Sequence, residues 1–258
     1  MQLSFDLISD LDLASNNYDY KGMATSPICV VAGGVSEDRD ATVAFLKHLT
    51  ECYQQILYID GSLEHKSYGS EFEVSILDLK RKLSKIKGVQ YLHDDVVVIN
   101  GVAFVGTNGW WGFSFDPDID ADLTRQWYAN EINYAVEPDQ ILLNSINDAS
   151  YLVHTIKKLQ THQDIKKIVI VSHTVPNPEL IAHDIELSDT YEFNVMGNEL
   201  LDAVKLVDLE SKIHTWCFGH YHGSVDQRID NVRYINNCQG QPGDTHYQYA
   251  YYPKKVIV

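Results

Sequence analysis

The sequence predicts an α/β fold in a single domain of 258 residues. Three observations lead to this prediction. Short apolar segments of strand length alternate with longer segments whose apolar residues recur at helical spacing. Glycine turns follow several of the apolar segments, as expected where a strand passes into a helix. An Asn-Gly pair at positions 100 and 101 separates two apolar segments, which is typical of a β-hairpin.

The first half of the chain contains two predicted β-α units followed by the hairpin. Strands are expected over residues 3–9, 28–32 and 56–59, and the hairpin over 96–99 and 102–106. Ser36 is predicted to cap the first helix, because a serine before acidic residues suits the start of a helix. The second helix is predicted over residues 71–87, where Phe72, Leu79 and Leu83 share one face.

The second half begins with an acidic segment at residues 108–122, which is predicted to be a solvated loop. Its aromatic residues Trp110, Trp111 and Phe113 could line the mouth of a pocket or a surface for a partner. Helices are then expected over residues 138–160 and 198–209, strands over 168–172 and 214–218, and a hairpin over 224–229 and 232–236. Tyrosines alternate over residues 247–251, which predicts a last strand with one aromatic face.

Charge limits the classes of ligand. The chain has 36 acidic and 20 basic side chains, for a net charge of −16, and no basic stripe. Such a surface repels the backbone of nucleic acids, so we expect no nucleic-acid partner. A small phosphorylated substrate would need a local attraction, and a bound divalent cation is the obvious source.

The remaining composition points to a soluble cytoplasmic protein. The amino terminus resembles a strand rather than a signal peptide, and no apolar run approaches the roughly 20 residues that cross a bilayer. The four cysteines are scattered without a C-x-x-C pair, as in proteins of reducing compartments. We therefore expect no membrane association. The sequence leaves the oligomeric state open.

Candidate site residues follow five of the predicted strands, with Gly33-Gly34 after the strand at 28–32 and Gly61-Ser62 after the strand at 56–59. Asp10 and Asp12 follow the first strand, and His173 follows the strand at 168–172. His220 and His222 follow the strand at 214–218, and alternate residues of an extended segment project to the same side. A single H-x-H pair more often caps a turn or is solvated. Five strand ends together predict one site, because loops beyond the carboxyl ends of strands converge in α/β proteins.

These positions resemble the calcineurin-like metallophosphoesterase family from about residue 7 to residue 240. The family motifs are D-x-H, G-D, G-N-H-E, a histidine after an apolar strand, and G-H-x-H. They correspond here to Asp10-Leu11-Asp12, Gly33-Gly34, Gly61-Ser62-Leu63-Glu64, His173, and Gly219-His220-Tyr221-His222. The resemblance implies a four-layer α/β/β/α sandwich. It also implies hydrolysis of a phosphate mono- or diester by metal-activated water.

The chain departs from the family at four positions. Asp12 replaces a histidine, and Gly34 replaces the aspartate that bridges two metal ions in the family. Ser62 replaces a ligating asparagine, and Leu63 replaces the histidine near the leaving group. By resemblance, one metal would be held by Asp10, Asp12 and His222. A second would keep only His173 and His220, so we expect about one Mn, Fe or Zn ion per chain.

The departures leave two functions and one structural alternative open. In the first, the chain is a weak phosphoesterase, with Gly34 and Ser62 as candidate substrate contacts. His65, two residues beyond Leu63, is then a candidate replacement for the missing acid. In the second, the chain is an inactive pseudo-phosphoesterase that binds a ligand or another protein. In the third and least favoured alternative, the histidines are structural.

Overall fold

Two β-sheets packed face to face form the centre of the fold, in a computed structural model that describes residues 2–16, 18, 22–67, 72–132, 136–184, 186–187 and 190–258. The strands are β1 (Ser4–Ile8), β2 (Ile28–Ala32), β3 (Gln55–Ile59), β4 (Val89–Tyr91), β5 (Asp95–Ile99), β6 (Val102–Gly106), β7 (Lys167–Val171), β8 (Ile213–Phe218), β9 (Asp226–Ile229), β10 (Val232–Asn236) and β11 (Lys254–Ile257). The α-helices are α1 (Arg39–Leu49), α2 (Phe72–Leu83), α3 (Ala121–Glu131) and α4 (Pro138–Gln160).

Both sheets are mixed, with parallel strands at their centres. The first has the order β11-β1-β2-β3-β4, and the second the order β5-β6-β7-β8-β10-β9. Strands β1 to β4 are parallel, and β11 returns antiparallel beside β1. In the second sheet, β5 and β9 pair antiparallel at the two edges. Because parallel strands share one direction, their carboxyl ends meet at one edge of each sheet.

Three apolar layers separate the sheets and helices. Phe5 and Phe104 meet edge to face between the sheets, with ring centroids 5.5 Å apart. Outside the first sheet, the apolar faces of α1 and α2 contribute Leu46 and Leu79. Outside the second sheet, α4 contributes Leu152 to the third layer. This arrangement confirms the predicted α/β/β/α sandwich.

Segments with strong local signals fold as predicted. Helix α4 begins at Pro138, whose fixed φ suits a first helical turn, and it ends at Gln160 as expected. The hairpin of β5 and β6 turns at Asn100 and Gly101, which have φ values of 52° and 79°. Both angles are positive, as this turn requires.

Several predicted boundaries were wrong. Asp38, rather than Ser36, caps α1 by accepting the N–H groups of Asp40 and Ala41. The predicted start of the second helix at residue 71 lies outside the described residues. The segment predicted as a helix at 198–209 is a 3-10 helix, Glu199–Val207, and part of the acidic segment forms α3. The tyrosines at 247–251 form no strand, and the last strand is β11 instead.

The aromatic loop after β6 packs inside the protein. Trp110, Trp111 and Phe113 are at most 2% exposed and belong to a cluster with Phe72 and Ile141. The prediction that they line a surface was therefore wrong, because packing beneath α2 and α4 covers them. Along the described stretches of the chain, no helix has the length and apolar character needed to cross a membrane.

Candidate functional site

The carboxyl ends of β1, β2, β7 and β8 open onto one cavity of about 490 Å³. Its lining contains every candidate metal ligand and both candidate substrate contacts predicted from the sequence: Asp10, Asp12, Gly34, Ser62, His173, His220 and His222. The first sheet supplies the carboxylates, and the second supplies the imidazoles. Residues that follow strands of both sheets therefore meet in one cavity, as their positions at strand ends predict.

Two aspartates after β1 turn the chain sharply at the edge of the cavity. Asp10 and Asp12 have positive φ angles of 51° and 35°. Their backbone N–H groups donate to the carbonyl oxygens of Gly33 and Gly34, each over 3.0 Å. These hydrogen bonds fix the loop after β1 against the loop after β2. Both carboxylates are held in place while less than 10% of either residue is exposed.

Gly34 has no room for a side chain. A Cβ atom there would lie 2.6 Å from Oδ1 of Asp10 and 2.8 Å from its Cα, and the φ angle of 70° is also unfavourable for other residues. Gly219 is equally tight, because its Cβ would lie 2.5 Å from Oδ2 of Asp10. The close packing around Asp10 therefore requires a residue without a side chain at position 34. An aspartate at position 34 would displace that ligand candidate.

Asp10 is the central carboxylate of the site. Its Oδ2 accepts the backbone N–H of His220 over 3.0 Å, and its Oδ1 lies 3.8 Å from Nε2 of His222. Burial acts to raise the pKa of Asp10, but the nearby histidines, above all His173 and His222, hold that pKa below its usual value. Asp10 is therefore ionised at neutral pH.

His173 and His220 each use one ring nitrogen to hold the ring in position. Nδ1 of His173 donates to the carbonyl of Ala32 over 2.9 Å, and Nε2 of His220 donates to the carbonyl of Val195 over 3.0 Å. Trp111 stacks on the His220 ring, with an interplanar angle of 7°. Burial, together with nearby His173, lowers the pKa of His220 to about 3. Its other nitrogen, Nδ1, is consequently an unprotonated acceptor at neutral pH.

His222 and Asp12 are held by the loop between β10 and β11. Nδ1 of His222 donates to Oδ2 of Asp244 over 2.5 Å, so Nε2 is directed toward Asp10. Burial acts to lower the pKa of His222, but Asp244 and Asp10 raise it above its usual value. Oδ2 of Asp12 accepts the amide of Gln241 over 2.9 Å. Sequence reasoning missed Asp244 and Gln241, because this loop carries no motif or periodic pattern.

Glu64 joins the second and third motif loops. It is fully buried and accepts the N–H groups of Gly34, Val35 and Gly61 over 3.2, 2.9 and 2.9 Å. Burial raises the pKa of Glu64, although the hydrogen bond from Val35 opposes this effect. Glu64 matches the last letter of the G-N-H-E motif, so its position could be recognised from the sequence. Its role as a backbone acceptor emerges only from the structure.

His65 lies behind the cavity, outside its lining. Its side chain is fully buried, with Nε2 2.6 Å from Oδ2 of Asp60 and Nδ1 3.0 Å from Oγ of Ser75. Both ring nitrogens are therefore engaged, and the local 3-10 helix turns the ring away from Leu63, which does line the cavity. The structure does not bring His65 to the other site residues, and we leave it out of the proposed machinery.

The rim of the cavity is acidic. Asp184, Glu186, Glu192 and Asp244 contribute carboxylates to the lining, and the described lining includes no lysine or arginine. A fourth histidine, His246, also lies on this rim, where no sequence motif pointed to it. A phosphate group entering the cavity would meet predominantly negative side chains. Its binding needs a positive charge from another source.

The donor atoms around the cavity suit a divalent cation by their chemistry. Carboxylates and neutral imidazoles ligate Mn, Fe and Zn, and a ligating imidazole is commonly held from behind by a carbonyl or carboxylate, as all three are here. Across the described residues, however, no three His, Cys, Asp or Glu side chains are grouped closely enough to hold a metal ion. The donor atoms suit a metal ion by their chemistry, whereas their spacing in this structure does not group three of them around one point.

Comparisons with known proteins connect this fold to solved structures. No protein-family model matches the chain, and no curated protein matches its sequence. The phosphopantetheinyl hydrolase PptH of Mycobacterium tuberculosis superposes with a TM-score of 0.71 at 17% identity, over 99% of this chain and 96% of that one. A putative 5′-nucleotidase of Staphylococcus aureus, solved with α-ketoglutarate, gives a TM-score of 0.51 at 12% identity.

The second match covers 100% of this chain but only 54% of the nucleotidase, so the chain spans about half of that protein. At these identities the likeness concerns the fold alone. PptH matches over nearly its whole length, including both sheets and the strand ends that carry the site. The chain has the calcineurin-like metallophosphoesterase fold that its motifs predict.

Proposed function

We propose that this protein is a phosphoesterase that hydrolyses a small phosphate mono- or diester with the help of a divalent cation. One observation carries the proposal: two buried carboxylates and three oriented imidazoles line a cavity whose described lining has no lysine or arginine. Such a donor set attracts cations, and a cation is what a phosphate would need there. The names of the two structural neighbours, a hydrolase and a putative nucleotidase, support the same class.

Asp10, Asp12 and His222 are the residues we propose to hold one Mn, Fe or Zn ion per chain. When bound, the ion supplies a Lewis acid that polarises a phosphoryl oxygen and lowers the pKa of water. His173 and His220 lack a bridging carboxylate at Gly34, so a second ion would be held weakly. The free nitrogens of these two rings, Nε2 and Nδ1, are instead available to a phosphate or to a transient ion.

Ser62 and Gly34 have different proposed roles at the substrate. Ser62 lines the cavity and makes no capping hydrogen bond with its side chain, so its hydroxyl is available to donate to a phosphoryl oxygen. The N–H of Gly34 is donated to Glu64. Gly34 therefore lines the cavity through its backbone and has no N–H group left to donate to a substrate.

A pseudo-phosphoesterase is the second candidate, and two observations favour it. Position 34 admits no bridging carboxylate, and Leu63 lines the cavity where the resemblance places an acid. Loss of an acid alone lowers a hydrolytic rate by about 10²-fold to 10⁴-fold. In this case the cavity binds a phosphorylated ligand without turnover.

Elemental analysis and an assay on one preparation separate the two candidates. The protein is purified without chelator or His-tag, and hydrolysis of a bis-nitrophenyl phosphodiester is followed with added Mn²⁺. We expect about one ion per chain and metal-dependent turnover. His222→Ala should lose both, whereas His162→Gln, at an exposed histidine away from the cavity, should lose neither. If the unaltered protein contains no metal and shows no turnover, the proposal that it is a phosphoesterase is refuted.

A further inference from the structure

The proposed hydrolase lacks a proton donor at the position the resemblance suggests. Leu63 lines the cavity but carries no proton, and His65 is buried behind it. Three of the histidines that line the cavity each have one nitrogen engaged by a fixed acceptor. His246 differs from them. It lies in the loop between β10 and β11, lines the same cavity, and belongs to neither proposed ligand set.

An aspartate faces His246 at the rim. Nε2 of His246 lies 3.7 Å from Oδ2 of Asp184. That carboxylate is itself fixed, since it accepts the hydroxyl of Tyr221 over 2.9 Å and the N–H groups of Glu186 and Leu187 over 3.2 and 3.3 Å. Burial acts to raise the pKa of Asp184, but these hydrogen bonds, led by that of Tyr221, lower it. An ionised carboxylate thus faces one nitrogen of the ring.

The other side of the ring is open. Nδ1 of His246 forms no hydrogen bond within the described part of the chain, and the side chain is 49% exposed. A proton can therefore return to this ring from solvent after each turnover. A histidine with one nitrogen facing a carboxylate and the other free to carry a proton is a suitable general acid.

We propose that His246 is the general acid of this site and that Asp184 is its positioning residue. This inference rests on the proposed phosphoesterase function. The oxygen of water forms a bond to phosphorus, and the bond from phosphorus to the leaving oxygen breaks, with its electron pair staying on that oxygen. The Nδ1 proton of the imidazolium moves to the leaving oxygen and gives an alcohol. The attacking water releases its proton to solvent, which reprotonates His246.

Leaving groups of different basicity test the proposal. An alkoxide needs a proton as it departs, whereas nitrophenolate is stable without one. His246→Gln should therefore lower kcat for an alkyl phosphoester, whose leaving group is an alkoxide, by about 10²-fold to 10⁴-fold. Hydrolysis of the bis-nitrophenyl ester should change less than about 3-fold, since it needs little acid assistance. Imidazole added to His246→Ala should restore part of the alkyl-ester activity.

The controls separate failure of this inference from failure of the proposed function. His162→Gln, an exposed histidine outside the cavity, should match the unaltered protein on both substrates. Asp184→Asn should show the leaving-group dependence in weaker form, with unchanged metal content. If His246→Gln loses activity equally on both esters, or loses none on the alkyl ester, the proposed role of His246 is overturned. The proposed phosphoesterase function is then unaffected. An unaltered protein inactive on both esters would overturn the proposed function, and this inference with it.

Discussion

Oδ2 of Asp244 lies 2.5 Å from Nδ1 of His222, and the opposite nitrogen of that ring, Nε2, lies 3.8 Å from Oδ1 of Asp10. This places a carboxylate behind an imidazole that we propose as a metal ligand. Such a partner fixes the orientation of the ring and increases its basicity as a ligand. Asp244 is 22 positions from His222 in the sequence, so only the fold brings them together.

Asp244→Ala should therefore weaken binding of Mn²⁺ by about 10-fold to 100-fold. The imidazole keeps its place in the chain but loses the acceptor that orients it. Isothermal titration of metal into metal-free protein measures the change. Asp139→Ala, at a 93% exposed carboxylate, serves as the control. Unaltered affinity in Asp244→Ala would show that His222 is not held in this way or is not a ligand.

Gly34→Ala should destabilise the protein more than Gly22→Ala. Both glycines have positive φ angles, 70° and 80°, which cost an alanine about 1 to 2 kcal/mol. Only at Gly34 does the new Cβ also collide with Asp10, which adds about 1 to 3 kcal/mol. At Gly22 no atom of the described residues lies within 4 Å of the new Cβ. Urea denaturation measures both variants, and equal losses in the free energy of unfolding would contradict the close packing around Asp10.

Asp148→Asn should flatten the dependence of stability on pH between about 4 and 7. Burial, reinforced by Asp94, raises the pKa of Asp148 to about 7, against an ordinary value of 3.8. In this window the folded protein holds a proton that the unfolded chain releases. The free energy of unfolding thus falls as pH rises, by up to about 1.4 kcal/mol per pH unit. Asparagine can still accept the N–H groups of Gly109 and Trp110 that Asp148 binds.

The measurement is urea denaturation of both proteins at several pH values across that window. The stability of Asp148→Asn relative to the unaltered protein should rise steadily with pH. If the free energies of unfolding of the two proteins change in parallel with pH, the pKa of Asp148 is not raised in the folded protein, and the prediction is contradicted.

His93→Gln should lose stability at pH 6 and much less of it above pH 9. Burial acts to lower the pKa of His93, but the carboxylate of Asp60, 3.0 Å from Nδ1, raises it to about 9. The pair therefore stabilises the folded protein fully below the ordinary histidine value near 6.5. This contribution disappears as pH rises through 9. Thermal unfolding at pH 6, 7.5 and 10 compares His93→Gln with His162→Gln, and a constant difference between them would contradict the ion pair.

Local patterns were sufficient for most of the fold and for placing the candidate ligands at one edge of the sheets. Helix α4 has a proline at its first position and apolar residues at helical spacing, and both signals act within a few residues. Asp10, His173 and His222 stand at strand ends, so the topology places them at one edge. These predictions needed no knowledge of long-range contacts.

The features that were missed depend on contacts between distant segments. Trp111 lies in a loop whose sequence suggested exposure, yet it is 2% exposed and stacks on His220. Gln241 and His246 belong to a loop without periodicity. Their positions depend on the pairing of β10 with β8 in the second sheet and of β11 with β1 in the first. The segment Glu199–Val207 packs against α4 as a 3-10 helix, a form that its apolar spacing did not indicate.

The division of the site between the two sheets has a further thermodynamic consequence. Asp10 follows a strand of the first sheet and His220 a strand of the second, and these residues are 210 positions apart in the chain. An ion bound on both sides would act as a cross-link that closes a loop of nearly the whole polypeptide. The unfolded chain cannot form that link without a large loss of conformational entropy. Ion binding and the cohesion of the sandwich would then be a single coupled equilibrium.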